Sequence, residues 1–165
     1  MIVADTSALI TLASANILTV VLEEFDVHTS GTVVQELEDT TEYDDIHGEA
    51  AEQVLQHRSR FTVHEAKQAE FQSSRIDQGE GTCADIARNL EADFLITDDL
   101  RALPELQTLA NTQVAISPIV LKALAKRNIL DEKEALEKLD EAAENRDWLE
   151  SPIYRRARDL FNDKA

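Results

Sequence analysis

Residues that cross-link a chain or attract a polyanion are scarce in this sequence. Cys83 is the single cysteine among 165 residues, which excludes an internal disulfide and a cysteine-based zinc site. Lysine and arginine number 16 against 33 aspartate and glutamate residues, so the formal net charge is −17. With two tyrosines, one tryptophan and five phenylalanines, the chain also offers few aromatic surfaces on which nucleic-acid bases could stack.

The basic residues are unevenly distributed. Residues 1–57 hold 12 acidic residues and no lysine or arginine, whereas the remaining 108 residues hold 21 acidic and all 16 basic residues. Any contact with a polyanion is therefore expected in the later part of the chain. The hydrophobic content of 43% is too high for an acidic disordered chain. We predict a folded protein with an acidic surface, which favours a halophilic archaeon with a salt-rich cytoplasm as its source.

A membrane-spanning segment is not evident. The apolar run Ser7–Leu22 is interrupted by polar residues and follows Asp5 instead of a basic stretch. It is also short for a span of ~20 apolar residues. We interpret it as two buried helices and predict a soluble, cytoplasmic protein with no membrane partner. The length is that of one domain, large enough to bury a sizeable core.

Short apolar segments alternate with helical patterns along the first part of the chain. We predict five strands, at Met1–Ala4, Phe25–His28, Phe61–His64, Phe94–Thr97 and Gln113–Ile116. Strands that alternate with helices form a parallel sheet covered on both faces, so the predicted fold class is α/β, a three-layer α/β/α sandwich. The pattern of residues 118–165 is almost entirely helical. We therefore divide the chain into an α/β core, residues 1–117, and a helical C-terminal extension, residues 118–165, packed on the core.

Acidic residues follow the predicted strands. Asp5 comes after the first strand and Asp99, beside Asp98, after the fourth, while Glu36 and Glu80 lie in helices that follow loops on the same edge. The carboxyl ends of parallel strands share one edge, and ligands bind there. Converging carboxylates raise one another's pKa values, and a hard divalent cation relieves that repulsion. The sequence therefore predicts a metal site able to support displacement at phosphorus.

The same residues resemble the motifs of a known family, the PIN domain, over roughly residues 1–117. The similar motifs are Asp5-Thr6-Ser7, Glu36 after Val33-Val34, Gly79-Glu80 opening an alanine-rich helix, and Leu95-Ile96-Thr97-Asp98-Asp99. The resemblance implies a parallel sheet of strand order 3-2-1-4-5 and a metal-dependent ribonuclease directed at single-stranded RNA. Many members, including VapC-like proteins, are the toxins of toxin–antitoxin pairs, and members commonly dimerise.

The resemblance also implies a role for each motif position. The catalytic, metal-binding carboxylates would be Asp5, Glu36, Glu80 and Asp99. Asp98 would be an additional ligand, Ser7 and Thr97 would orient the carboxylates, and Arg101 would contact a substrate phosphate. The implied cofactor is Mg²⁺ or Mn²⁺. The implied partners are an RNA substrate, an antitoxin protein and a second copy of the chain.

Other functions fit parts of this pattern. One is a non-catalytic protein-interaction module on the PIN fold, in which the acids serve metal-linked stability. Another is an acidic phosphohydrolase or receiver-type domain with Asp5 as nucleophile, although no Asp-x-Asp motif follows the first strand. Taken singly, Glu80 and the Asp98-Asp99 pair are also typical of helix N-termini, where acidic side chains are stabilised.

Overall fold

The computed structural model describes residues 1–65 and 73–162, and a five-stranded parallel sheet lies at its centre. The strands are β1 (Ile2–Ala4), β2 (Val27–Ser30), β3 (Thr62–His64), β4 (Phe94–Ile96) and β5 (Gln113–Ala115). Their order across the sheet is β3-β2-β1-β4-β5, which confirms the α/β fold class and the strand order. Val3 of β1 lies beside His28 of β2 and Leu95 of β4. The strand order reverses beside β1, which is where ligands bind in folds of this type.

Nine α-helices accompany the sheet within the described ranges. The helices between strands are α1 (Thr6–Ser14), α2 (Leu18–Glu24), α3 (Gly31–Thr40), α4 (Ile46–Gln56), α5 (Gln78–Leu90) and α6 (Leu103–Ala110). The C-terminal helices are α7 (Pro118–Lys126), α8 (Glu132–Asn145) and α9 (Pro152–Asn162). The chain moves one way across the sheet from β1 to β3 and the other way from β4 to β5, and crossovers between parallel strands are right-handed in nearly all proteins. This reversal places helices on both faces.

Polar capping residues start the helices that follow β1 and β2. Asp5 caps α1, because its Oδ1 accepts a hydrogen bond from the Ala8 amide. Ser30 caps α3 in the same way, through the Val33 amide. Each cap supplies an acceptor to an amide that has no partner inside its helix. Because Asp5 directly follows β1 and Ser30 is the last residue of β2, both side chains are fixed at the carboxyl edge of the sheet.

The strand β2 begins and ends two residues later than predicted. Phe25 ends α2 as its C-cap residue, with its amide donating to the Val21 carbonyl at 2.9 Å. Thr29 and Ser30 extend the strand although both are polar. Both are fully buried, and Thr29 Oγ1 donates to the Ala4 carbonyl at 2.7 Å. An apolar pattern does not reveal a strand whose last residues are polar and satisfied by hydrogen bonds.

Two helices begin later than a continuous helical pattern would place them. Asn16 has a φ of 56°, a left-handed conformation, which ends α1 and delays α2 until Leu18. Asp99 forms a turn in which its Oδ1 accepts from the Arg101 amide, so α6 begins only at Leu103. In both cases a side chain suited to turns interrupts a pattern that resembles a continuous helix.

The C-terminal extension shares the hydrophobic core of the α/β part. Its buried residues Leu121, Leu124 and Leu139 belong to the same apolar cluster as Val3 and Leu95 of the sheet. The helix α8 also lies against α1, and Asn145 Nδ2 donates to the Ser14 carbonyl at 2.7 Å. Asn16, in the turn after α1, donates through Nδ2 to Glu141 Oε1 of α8 at 2.5 Å. The extension is therefore attached to the helix whose N-cap is Asp5. The division after residue 117 stays a prediction.

Among the described residues, no single helix is long and apolar enough to cross a membrane. The helices α1 and α2 reach that length only together, and the chain bends by 116° between them. Most of the residues of α1 are buried in the core.

Candidate functional site

One cavity of about 250 Å³ at the carboxyl edge of the sheet is lined by all four predicted carboxylates. Asp5 follows β1, Glu36 lies within α3, Glu80 lies in the first turn of α5, and Asp99 follows β4. The described residues that line this carboxylate cavity are Asp5, Thr6, Ser7, Ile10, Glu36, Asp77, Glu80, Asp99 and Arg146. Four separate elements thus converge on one small volume.

Asp5 lies at the buried side of the cavity, and its side chain is 3% exposed. Its Oδ1 accepts hydrogen bonds from Ser7 Oγ at 2.8 Å and from the Ala8 amide at 3.0 Å. Burial raises the pKa of Asp5 to about 7, although these hydrogen bonds and one from Thr97 act in the opposite direction. Near neutral pH a proton therefore competes with any cation for this carboxylate.

Glu36 is held against the start of α5 by a close approach. Thr6 Oγ1 donates to Glu36 Oε1 at 2.7 Å. A Cβ atom at Gly79 would lie 2.0 Å from the same Oε1, so a side chain at position 79 would displace the carboxylate. Burial raises the pKa of Glu36. The absence of a side chain at Gly79 therefore allows α3 and α5 to approach each other closely at Glu36.

Glu80 is nearly buried and only partly satisfied. It forms a capping box with Asp77, in which the Glu80 amide donates to Asp77 Oδ1 at 2.8 Å and the Asp77 amide donates to Glu80 Oε1 at 3.1 Å. No described residue donates a hydrogen bond to the buried Oε2 atom. Burial raises the pKa of Glu80 to about 9, and the carboxylates of Asp77 and Asp99 add to the increase. The Oε2 atom therefore requires a proton or a cation.

Ser7 and Thr97 connect Asp5 to the turn after β4. Ser7 Oγ donates to Asp5 and accepts from the Asp98 amide at 3.0 Å. The Thr97 side chain hydrogen-bonds to Asp5, and its Oγ1 accepts from the Asp99 amide at 3.2 Å. These two side chains stand where an orienting role was predicted for them. They hold the Asp5 and Asp99 backbone segments in a fixed relation.

Three of the predicted site residues do not line the cavity: Thr97, Asp98 and Arg101. Asp98 accepts from the Ser117 amide at 2.7 Å through Oδ1 and from Ser117 Oγ at 2.8 Å through Oδ2, so both of its oxygens join the end of β4 to the start of α7. Arg101 is exposed and does not line the cavity. Its contribution there is a backbone amide that donates to Asp99 Oδ1 at 3.0 Å. The predicted roles of Asp98 and Arg101 stay predictions.

Two charged lining residues were missed by the sequence analysis. Asp77 could have been found, because Asp77-x-x-Glu80 is a capping-box pattern of the kind that the sequence also shows at Asp131-x-x-Glu134. Arg146 gave no such signal. It lies in the C-terminal extension, and only the packing of α8 against α1 brings it to the cavity.

The donor set fits a hydrated hard cation. Within residues 1–65 and 73–162, no three His, Cys, Asp or Glu side chains stand close enough together to hold an ion by themselves. The carboxylates nevertheless surround a volume with room for water, and Mg²⁺ characteristically keeps several waters while using one or two carboxylates. The orphaned Glu80 Oε2 and the raised pKa values of Asp5, Glu36 and Glu80 show that these surroundings disfavour the ionised carboxylates, a penalty that a bound cation would remove.

Two larger clefts lie elsewhere and lack this chemistry. One of about 460 Å³ lies between β5 and α9, and one of about 410 Å³ has an apolar lining with Lys122, Lys126 and Arg127 at its edge. Asp93 is the only acidic side chain among their described lining residues. The candidate functional site is therefore identified by the convergence of carboxylates and not by the volume of the cavity.

Comparison with known proteins agrees with the fold. A family model described as a PIN domain matches residues 1–163, so the chain belongs to the PIN domain family. The match continues through the C-terminal extension. PIN domains are generally nucleases and typically use divalent metal ions. No curated protein matches the chain.

Proposed function

We propose that this protein is an endoribonuclease that depends on Mg²⁺ or Mn²⁺ and hydrolyses RNA phosphodiester bonds. The observation that supports this proposal most is the convergence of Asp5, Glu36, Glu80 and Asp99 on one cavity. A divalent ion bound there would supply Lewis acidity, which lowers the pKa of water and offsets the charge of the phosphate.

The chain's own residues would hold the ion and fix its surroundings. Glu80 offers an oxygen without a hydrogen-bond donor from any described residue, and Asp5 offers Oδ2 while Oδ1 is bound by Ser7 and Ala8. Asp98 could serve as an additional ligand only after releasing Ser117. Arg101 would contact a substrate phosphate from the rim, where its side chain is exposed.

The test compares wild type with Asp5→Asn on a labelled RNA pool in high-salt buffer with Mn²⁺, Mg²⁺ or EDTA. Asparagine caps helices about as well as aspartate, so the variant should fold. We expect EDTA to abolish cleavage by wild type. In Mn²⁺ or Mg²⁺, Asp5→Asn should cleave at least about 100-fold more slowly than wild type, because a buried ligand charge is lost. The control is Asp44→Asn, which removes the same charge from an exposed loop and should cleave like wild type.

The alternative is a non-catalytic interaction module on the same fold. It draws on the structural roles of the same acids, since Asp5 caps α1, Glu80 belongs to a capping box, and Asp99 forms a turn. The same experiment separates the two functions. Stabilisation by Mn²⁺ without cleavage of any RNA would contradict the nuclease and favour the module.

The finer biological proposals follow from the family resemblance and the charge. We propose a VapC-like toxin role, with an antitoxin partner and a homodimeric state, in the salt-rich cytoplasm of a halophile. Arrest of growth on expression of wild type, and its absence with Asp5→Asn, would support the toxin role. Light scattering in high salt would give the oligomeric state.

A further inference from the structure

The C-terminal extension supplies one side chain to the carboxylate cavity. Arg146 is the C-cap residue of α8, and of the described residues that line the cavity it alone is basic. Its guanidinium is half-buried and interacts electrostatically with the carboxylates of Asp98 and Asp5. One basic side chain thus lies among five acidic residues in the lining of the cavity.

The end of α8 fixes where Arg146 points. The Trp148 amide donates to the Ala143 carbonyl at 2.7 Å, and the Asp147 amide donates to the Glu144 carbonyl at 3.4 Å. Asp147 adopts a φ of 57°. This is a Schellman motif, which reverses the chain sharply after the helix. Trp148 is buried beyond the turn, so the backbone at Arg146 is held by packing on both sides.

The guanidinium of Arg146 retains hydrogen-bonding capacity for a ligand. None of the ion pairs found within the described ranges includes it, and its buried Nε has no acceptor there. Its acidic neighbours do not need it for hydrogen bonding. Both oxygens of Asp98 are bound by Ser117, and Asp5 is bound by Ser7, Ala8 and Thr97. A buried N–H group without an acceptor is unfavourable unless a ligand supplies one.

We propose that Arg146 binds a phosphate group of the RNA backbone in the carboxylate cavity, so that the C-terminal extension completes the substrate site. This inference rests on the proposed ribonuclease function. A guanidinium presents a planar set of N–H donors that matches two phosphate oxygens at once. In a cavity lined by carboxylates, such a group offsets repulsion of the phosphate that the acidic residues alone would exert.

Arg146 differs in position from Arg101, the arginine that the family resemblance implied as a phosphate contact. Arg101 is exposed outside the carboxylate cavity, where its charge is screened by salt. Arg146 is half-buried and lines that cavity. Screening is weaker for partly buried charges, so the contact of Arg146 should be stronger than that of Arg101 at any given salt concentration.

The test measures binding apart from cleavage. A short fluorescein-labelled single-stranded RNA is titrated by anisotropy in EDTA at several KCl concentrations. The proteins are wild type, Arg146→Met, Arg146→Lys, Arg101→Met and Lys133→Met. Lys133 is exposed in the first turn of the same helix, so Lys133→Met is the charge-matched control. We expect Arg146→Met to bind about tenfold more weakly or worse, with a salt slope smaller by about 0.7, and Arg146→Lys to lie between it and wild type.

Each outcome decides the inference. Affinity and salt slope of Arg146→Met equal to those of Lys133→Met, or a larger loss in Arg101→Met, would overturn it, as would failure of wild type to bind RNA. If Arg146→Met does not fold, Arg146→Lys decides, and affinity equal to wild type then counts against the proposal. A wild type that binds RNA through Arg146 but does not cleave it in Mn²⁺ would refute the nuclease and leave this inference standing.

Discussion

The molecule contains the same local motif twice, in two different surroundings. Asp77 and Glu80 open α5 with a capping box, and Asp131 and Glu134 open α8 with another. The amide of each glutamate donates to the aspartate Oδ1, at 2.8 Å in the first box and 2.7 Å in the second. At the α8 box both side chains are exposed, whereas Glu80 in the α5 box is 5% exposed.

The comparison separates what a motif determines from what its surroundings determine. Four residues of sequence suffice to start a helix and to fix both capping hydrogen bonds. Only burial and the neighbouring carboxylates raise the pKa of Glu80 to about 9 and leave its Oε2 without a donor from any described residue. The chemical difference between the two glutamates therefore arises from tertiary structure.

The largest expected difference between the boxes is in the response to metal. Glu80→Gln should weaken Mn²⁺ binding at least about tenfold and lower cleavage at least as much, because the orphaned oxygen is replaced by a neutral amide. Glu134→Gln should leave both unchanged. Thermal melts with and without Mn²⁺, followed by cleavage assays, provide the measurement.

The metal-free protein gives the control for that experiment. Glu80 is protonated near neutral pH, so a neutral glutamine in its place should leave the metal-free Tm at or above that of wild type. A metal-induced shift in Tm that is equal in Glu80→Gln and Glu134→Gln would show that the buried box does not take part in metal binding.

The next effect concerns pH. The folded state binds more protons than the unfolded state wherever a carboxyl pKa is raised, so the free energy of unfolding falls as pH rises through that range. With pKa values of about 7 for Asp5 and about 9 for Glu80, the metal-free protein should lose stability from about pH 4, where both groups begin to ionise in the unfolded state, to about pH 9. Mn²⁺ should restore stability most at the alkaline end, where its ligands are deprotonated.

The double variant Asp5→Asn with Glu80→Gln is the control for the pH profile. It should flatten the loss of stability in EDTA, because Asp5 and Glu80 no longer titrate. Salt is kept high and constant, since the net charge of −17 adds repulsion that also grows with pH. A double variant whose profile follows wild type would assign the pH dependence to the general surface charge.

Sequence alone predicted the parts of the fold that are encoded locally. The position of Asp5 directly after the first strand was predicted, and Asp5 is observed there as the N-cap of α1. The strand order came from the family resemblance and is confirmed. The polar end of β2 could not be predicted, because Thr29 is buried by a hydrogen bond to a residue 25 positions away.

The candidate site shows the same limit. Its four carboxylates follow predictable element ends, so their convergence could be inferred from the sheet edge. The separation of Asp99 from Asp98 could not, because adjacent residues in one turn point to different partners, one to the cavity and one to Ser117. Nor could Arg146, whose position depends on how α8 packs against α1.

The smallest expected difference between the boxes concerns their aspartates. Asp77→Ala and Asp131→Ala each remove one N-cap acceptor, so each should lower the free energy of unfolding by about 1 kcal/mol and Tm by about 2–4 °C. Cleavage should fall only in Asp77→Ala, by about tenfold, because the loosened first turn of α5 carries Glu80. Asp77→Asn, which restores the cap, should recover both properties. If Asp77→Ala loses stability but cleaves like Asp131→Ala, the buried box stabilises its helix without positioning the carboxylate, and the two motifs would differ only in exposure.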